Sequence, residues 1–415
     1  MDPPPQATAR QAPKEAGDRL RIGITCYPSV GGSGILASGL GEELAERGHE
    51  VHFISYEPPF RLKGKSPRIF FHPVVINDYG LFKYPDYTLP LSVKMAEVSR
   101  DNQLDVLHLH YAVPHATAAI LARSMLPPEQ QTRVVTTLHG TDTTLLGRDP
   151  GYRPAVHHAL THSDAVTVVS EFLKRETQRV LSFDGPMEVI HNFFHPQTPL
   201  RSREEVRREL GLREEVLLFH SSNLRPLKRI DLLLETVARI RPRESCKLVI
   251  LAGGDFSPYS GEVRRLGLED RVIVRENVRQ IEDYLQAADI GLFTSETESF
   301  CLSVLEAMCF ACPSIAPQVG GIPEVIEDKI TGLLVPFGDT EKMALAAEDL
   351  IQNPARRETL GCAAQLRAQT HFSAKIIVPR YLGGALDLGE GSSQIINAGN
   401  PFGGAYGPIR FSSAS

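Results

Sequence analysis

The sequence predicts an α/β protein made of two doubly wound, Rossmann-like parallel-sheet units that face a cleft. Three observations predict it. Short apolar runs alternate with helical patterns from residue 21 onward. The alternation stops in a polar, charge-rich stretch at 196–215 and restarts at 216. Glycine-bearing turns follow several of the apolar runs. Strands alternating with helices imply right-handed βαβ units and hence parallel sheets. A chain of 415 residues also exceeds one typical core.

Taken in order, 21–26 reads as a strand, 31–34 as a glycine-rich turn and 35–47 as a helix ending at Gly48. Strands follow at 51–55, 105–110 and 133–138, with a helical stretch at 114–125 between the last two. Strands at 165–169 and 188–190 close the first half. The second half reads as strands at 216–221, 247–251, 271–274, 290–294 and 313–316, with helices at 230–240, 302–308, 341–352 and 354–370. Residues 1–18 are rich in Pro, Ala and Gln and lack the apolar core of a signal peptide, so they read as a disordered extension. The tail from 389 to 415 is rich in Gly, Ser and Asn and reads as irregular. The expected division is therefore 1–18, 19–195, 196–370 and a C-terminal helix with tail over 371–415.

Composition narrows the class. Hydrophobic residues at 42% and charged residues at 23% suit a soluble globular protein. A net charge of -6 argues against a general nucleic-acid binder. No apolar run is long enough to span a bilayer. Six irregularly spaced cysteines suggest no disulfide framework, and reduced thiols fit the cytoplasm. Cys309 and Cys312 have CxxC spacing, but no second pair or nearby His pair supports a metal, so buried thiols are the expectation.

Several strand ends carry candidate chemistry, because ligands of such sheets bind beyond the carboxyl ends of strands. Gly31, Gly32, Ser33 and Gly34 open a helix, where free N–H groups suit an anion. The loop does not match the dinucleotide fingerprint, which disfavours a nicotinamide oxidoreductase. His139, Gly140, Thr141 and Asp142 end another strand, as a functional His or as a plain capping turn. Arg225, Lys228 and Arg229 form a basic cluster at the first strand end of the second half, which is what a diphosphate leaving group requires. Gly253 and Gly254 end the next strand, where a ligand or a tight turn both need small residues. The most specific feature runs from Ser295 to Glu306. Glu298 lies in a loop and Glu306 inside the following helix. A carboxylate is acceptor-only and takes hydrogen bonds from two neighbouring sugar hydroxyls. Gly320, Gly321 and Glu324 follow.

These residues together resemble the retaining GT-B glycosyltransferases of family 4, over roughly residues 21–369. Gly23–Gly34, Pro59–Leu62, Phe82–Pro85, His110–His115 and Thr136–Asp142 resemble the branch of that family that makes N-acetylglucosaminyl L-malate in bacillithiol biosynthesis. The resemblance implies a cytoplasmic, metal-independent, retaining transfer from UDP-GlcNAc to the hydroxyl of L-malate, without a cofactor. It implies an acceptor-binding first domain, a donor-binding second domain and a homodimer. It implies catalytic roles for His139, Lys228 and Glu298. Donor binding falls to Asn223, Arg225, Gly254, Asn277, Val278, Glu298, Phe300, Cys301, Leu302 and Glu306. Acceptor binding falls to Gly32, Ser33, Tyr111 and Thr137, with Arg61, Arg153 or His157 for malate's second carboxylate.

The chain departs from the family at Cys301, where Gly is usual, and at Phe310-Ala311, where Cys-Gly is usual. Those departures fit an inactive nucleotide-binding homologue as well as an active enzyme. The same residues also suit a transferase with another small anionic acceptor, such as inositol phosphate, or a UDP-sugar epimerase on the same scaffold.

Overall fold

The structure is a computed structural model and describes residues 19–28, 32–59, 61–62, 66–76, 86–130 and 132–385. The two expected terminal extensions lie outside the described residues, as do Gly31 and the Phe82–Pro85 motif.

Two all-parallel sheets form the frame. The first holds β1 (Arg21–Thr25), β2 (Glu50–Ser55), β3 (Ile69–Pro73), β4 (Val106–His110), β5 (Arg133–Leu138), β6 (Ala165–Val168) and β7 (Glu188–Val189), in the order β3-β2-β1-β4-β5-β6-β7. The second holds β8 (Val216–Ser222), β9 (Cys246–Ala252), β10 (Val272–Glu276), β11 (Ile290–Leu292), β12 (Ser314–Pro317) and β13 (Gly332–Val335), in the order β10-β9-β8-β11-β12-β13. Each order reverses direction beside its first strand, which opens a crevice at the carboxyl ends there. The central strands are buried on both faces: Val106–His110 is buried throughout, and so is Val134–Leu138 within β5. That is why they read as apolar runs rather than as alternation.

The helices are α1 (Gly32–Glu46), α2 (Thr88–Asn102), α3 (Thr117–Ser124), α4 (Thr141–Thr144), α5 (Arg153–Thr161), α6 (Glu171–Leu181), α7 (Arg203–Glu209), α8 (Ile230–Arg239), α9 (Ser260–Arg265), α10 (Glu282–Ala287), α11 (Leu302–Cys309), α12 (Ile322–Val325), α13 (Thr340–Gln352), α14 (Pro354–His371) and α15 (Ala374–Arg380). Caps mark several starts. Ser170 Oγ accepts from Leu173 N at 3.0 Å, and Ser202 with Glu205 forms a capping box on α7.

Among the differences from the sequence expectation, which include the additional helices α2, α5 and α6, three concern the frame. The glycine turn is shorter, because Gly32 already belongs to α1. β3 was not expected: it is a half-exposed edge strand ending in Pro73, so it lacks a strong apolar signal. The 196–215 stretch is not simply a linker. Its α7 sends Arg207 to Asp289 at 2.9 Å, and Asp289 also accepts from Leu217 N at 2.7 Å, which fastens the stretch to the second sheet.

Helix α15 returns to the first sheet. Ile377, Val378 and Tyr381 are buried in a cluster with Ile22, Ile24, Leu36 and Leu40. Arg380 donates to the Val189 carbonyl at 2.6 Å. The halves are thus joined twice, through 190–202 and through α15.

Candidate active site

A cleft enclosing about 700 Å³, with its open mouth, lies between the halves at the strand carboxyl ends. Three loops of the second half build most of it. After β8, Ser221, Ser222, Asn223 and Lys228 line it. After β9, Gly253 lines it, and a Cβ there would come within 3.3 Å of the Asn223 Cα, so the two loops pack backbone to backbone. After β10, Asn277 and Val278 line it, with Asn277 at φ 52 and donating from its N–H to the Ala252 carbonyl at 2.8 Å.

The glutamate loop closes the floor. Lys228 Nζ forms an ion pair with Glu298 Oε1, which also accepts from Ser295 Oγ at 2.8 Å. Burial disfavours the Lys228 ammonium, but the Glu298 carboxylate more than offsets that and holds it above its ordinary range. The loop's shape depends on Gly320 and Gly321. A Cβ on Gly320, at φ 56, would lie 2.0 Å from the Glu298 carbonyl oxygen, and one on Gly321 would lie 2.3 Å from the Ser299 carbonyl oxygen. Only glycine permits that approach. Glu324 has a different task. It accepts from the N–H groups of Glu171 and Phe172 at 2.9 and 2.8 Å, and so caps α6 of the first half from across the interface.

Glu306 faces the cleft from α11 and is 4% exposed. Burial pushes its carboxyl up to about 7, against the pull of the Arg61 and Lys228 cations. No hydrogen bond to its carboxylate occurs among the described residues, so its acceptor capacity is open to a ligand.

On the first half, Gly32 lines the cleft at the start of α1. Tyr111 donates its hydroxyl to Ser33 Oγ at 2.9 Å. Tyr111 has φ 92, held by its N–H to the Thr137 carbonyl at 3.0 Å. Such a bulky residue in that region marks a strained, over-determined site. His139 follows β5 and shares a hydrogen bond with His110, Nε2 to Nδ1, at 2.9 Å. Burial lowers the His139 imidazole to about 3, so it is neutral at neutral pH. Buried Asp142 accepts from Ala112 N at 2.7 Å and His139 N at 3.3 Å, which fixes the turns after β4 and β5 together.

The structure brings Asn223, Lys228, Asn277, Val278, Leu302, Glu306, Gly32 and Arg61 to the cleft, with Glu298 held on Lys228. Several other expected positions lie elsewhere in the structure. Thr137 is 1% exposed and its hydroxyl bonds to His108 and Thr167 at 2.7 and 2.6 Å, so it points into the sheet's packing layer. Arg153 is exposed and reaches Ser182 at 3.3 Å, outside the cleft. His157 is exposed on α5 and packs edge-on against Phe183. Phe300 packs behind the loop against His191 and Phe372. Cys301 is 5% exposed in the core beneath it. Gly253 rather than Gly254 forms the wall. Arg225 is exposed beside the wall, with its charge felt at Tyr111. Arg279, Ile281 and Ser303 also line the cleft and were not expected. Their only sequence signal is adjacency to a strand end or to the glutamate helix.

Cys301 has φ 74 and Ala311 φ 53, so both non-glycine residues hold a left-handed backbone. All six cysteines are free, and burial pushes the Cys309 thiol up to about 12. Among the described residues no cluster of three His, Cys, Asp or Glu is arranged for a metal, and no helix is long and apolar enough to cross a membrane.

Comparison with known proteins gives matches in both halves. Residues 202–367 match the family described as Glycosyl transferases group 1, and residues 30–198 match Glycosyltransferase Family 4. The chain is 40% identical over 366 residues to N-acetyl-alpha-D-glucosaminyl L-malate synthase of Bacillus anthracis, covering 88% of this chain and 96% of that one. It is 34% identical over 177 residues to D-inositol 3-phosphate glycosyltransferase of Kribbella flavida, covering 39% of this chain and 42% of that one. The fold is similar to Anabaena Alr3699/HepE in complex with UDP-glucose, with a TM-score of 0.74 and 19% identity over 89% of this chain and 99% of that one. It is also similar to a glycosyltransferase from Rickettsia africae, with a TM-score of 0.75 and 17% identity over 89% of this chain and 99% of that one.

Proposed function

This chain belongs to the family 4 glycosyltransferases with the GT-B fold, and on that footing we propose that it transfers N-acetylglucosamine from UDP-GlcNAc to the hydroxyl of L-malate with retention, the first step of bacillithiol biosynthesis. The carrying observation is the 40% identity that runs along 96% of the malate synthase, through both halves. The inositol-phosphate relatives match less than half of either chain.

The cleft supports the donor assignment. Glu306 offers a carboxylate with open acceptor sites for the ribose hydroxyls, beside the Asn277–Val278 wall for the base. Lys228 supplies a positive charge for the diphosphate, with the Asn223 loop beside it. Glu298 holds that lysine and takes sugar hydroxyls with its remaining acceptor sites. In the reaction the bond from the anomeric carbon to the phosphate oxygen breaks. The bond from that carbon to malate's hydroxyl oxygen forms on the same face, and the hydroxyl proton passes to the departing phosphate. Charge grows on UDP, and Lys228 stabilises it most in the transition state. Neutral His139 serves as a hydrogen-bonding wall for the reacting sugar rather than as a cation. Gly32, Ser33 and Tyr111 take one malate carboxylate at the α1 N-terminus.

One observation favours a second reading. Cys301 holds a left-handed backbone in the donor loop, so a homologue that binds UDP without turnover is the competitor. UDP release measured with UDP-GlcNAc plus malate, inositol phosphate or no acceptor separates these readings. Release only with malate is expected. UDP binding without release under any condition would establish the competitor.

A further inference from the structure

Arg61 is carried by the first half, yet its guanidinium is committed to the second. It meets Glu282 with two contacts, Nη1 to Oε1 at 3.1 Å and Nη2 to Oε2 at 3.3 Å. Its side chain is 10% exposed and that of Glu282 is 0% exposed. The Glu282 carboxylate also accepts from Gln197 N at 3.2 Å, and the Arg61 guanidinium lies 5.5 Å above the Phe194 ring. A two-pronged buried pair of this kind fixes orientation and uses up the charge. A guanidinium held at both prongs cannot swing away to clamp a free ligand's carboxylate in the same two-pronged way.

Arg61 reaches the cleft beside the segment that follows β10. Glu282 opens α10, directly after the Asn277–Ile281 wall that follows edge strand β10. Tyr111, Ser33 and His139 form their own cluster, with Tyr111 bonded to Ser33 and its ring 5.2 Å from that of His139. The turn after His139 meets the glutamate loop, since Gly140 lies against Ser299. Through Glu282, Arg61 is tied to the segment that carries Asn277 and Val278, and it lines the cleft with them, with Glu306 and with Gly32.

We infer that Arg61 belongs to the nucleoside end of the donor site, as a counter-charge that the first half lends to Glu306 across the cleft, and that it does not bind the acceptor's second carboxylate. The inference rests on the cleft being a UDP-sugar site. The charges around Glu306 agree with it. Arg61 and Lys228 favour its ionised form and Glu282 opposes it, with Arg279 also on the cleft wall and the Cys309 thiol affected by its charge. Arg61 pairs directly with Glu282 and acts on Glu306 at longer range beside Lys228, and it meets Glu282 only when the halves are together.

Calorimetry with UDP on the full chain, paired with acceptor kinetics, tests this. Wild-type protein is titrated first, and failure to bind UDP would overturn the donor reading itself. With wild-type binding established, Arg61→Met is expected to weaken UDP at least tenfold while changing the KM for malate less than about twofold, and Arg61→Lys to recover part of the loss. Glu282→Gln keeps the amide contact from Gln197 and frees the guanidinium, so UDP affinity is expected to hold or rise. An unchanged UDP affinity in Arg61→Met with a raised malate KM would overturn the inference. If Arg61→Met does not fold, the same split read on Arg61→Lys decides it.

Discussion

Gly140 and Ser299 meet where the two halves touch: a methyl group built on Gly140 would lie 1.8 Å from the Ser299 hydroxyl oxygen and 3.0 Å from its Cβ. Gly140 also has φ 114, a conformation that most residues reach only with strain. This contact sets how close the His139 turn comes to the glutamate loop.

Gly140→Ala is therefore expected to lower kcat/KM about tenfold or more, with a stability loss of ~1–3 kcal/mol from the backbone strain. Adding Ser299→Gly relieves the collision but not the strain. Activity should recover further than stability, as read by steady-state kinetics and urea melts. Equal recovery of both would show that the steric contact does not control the cleft.

Glu306 predicts a pH dependence. Its folded-state value is raised to about 7 from an ordinary 4.5. Between those values the folded state holds more protons than the unfolded one, so its contribution to stability is full below about 4.5 and lost as pH rises through 7. Ribose hydroxyls donate to the ionised form. UDP affinity should therefore climb by up to about tenfold per pH unit below 7 and level off above it. Glu306→Gln should bind UDP weakly and with a flat profile between pH 5.5 and 8. A sloped profile in that variant would assign the titration to another group.

Lys228→Met should reduce kcat by about a hundredfold or more, because a charge aimed at the leaving group acts mainly in the transition state. It also strands Glu298 in a half-buried loop. Glu298→Gln in the same background should restore stability without restoring turnover. Turnover close to wild type in the single variant would remove Lys228 from the chemistry.

Cys301 has φ 74 while its side chain is 5% exposed. Glycine there loses buried contact and gains conformational ease, so Cys301→Gly should remain within about 1 kcal/mol of wild type. Cys301→Val adds a β-branched side chain to a left-handed backbone and should be several-fold costlier. Urea melts of the pair check the order, and a valine variant as stable as the glycine one would contradict the strain.

The sheets were legible because their central strands are buried on both faces and read as apolar runs. The edge strand Ile69–Pro73 was not, since it is half-exposed and paired on one side. At the site, Lys228 was legible from its strand end and Glu306 from the glutamate motif, while Asn277 was named only through the family resemblance; all three line the cleft. Orientation was not. Thr136 and Thr137 are both buried, and nothing in a run of buried residues says which hydroxyl faces a ligand. Contacts between distant segments were also hidden. Arg61 and Glu282 lie 221 positions apart, and only the folded chain shows that the arginine is already engaged.

The most direct test follows the anomeric proton by NMR while UDP-GlcNAc is incubated with the protein and L-malate. Retaining transfer to malate predicts UDP release that depends on malate, matched one to one by an α-configured N-acetylglucosaminyl malate. UDP release that ignores malate, or a β-configured product, would contradict it.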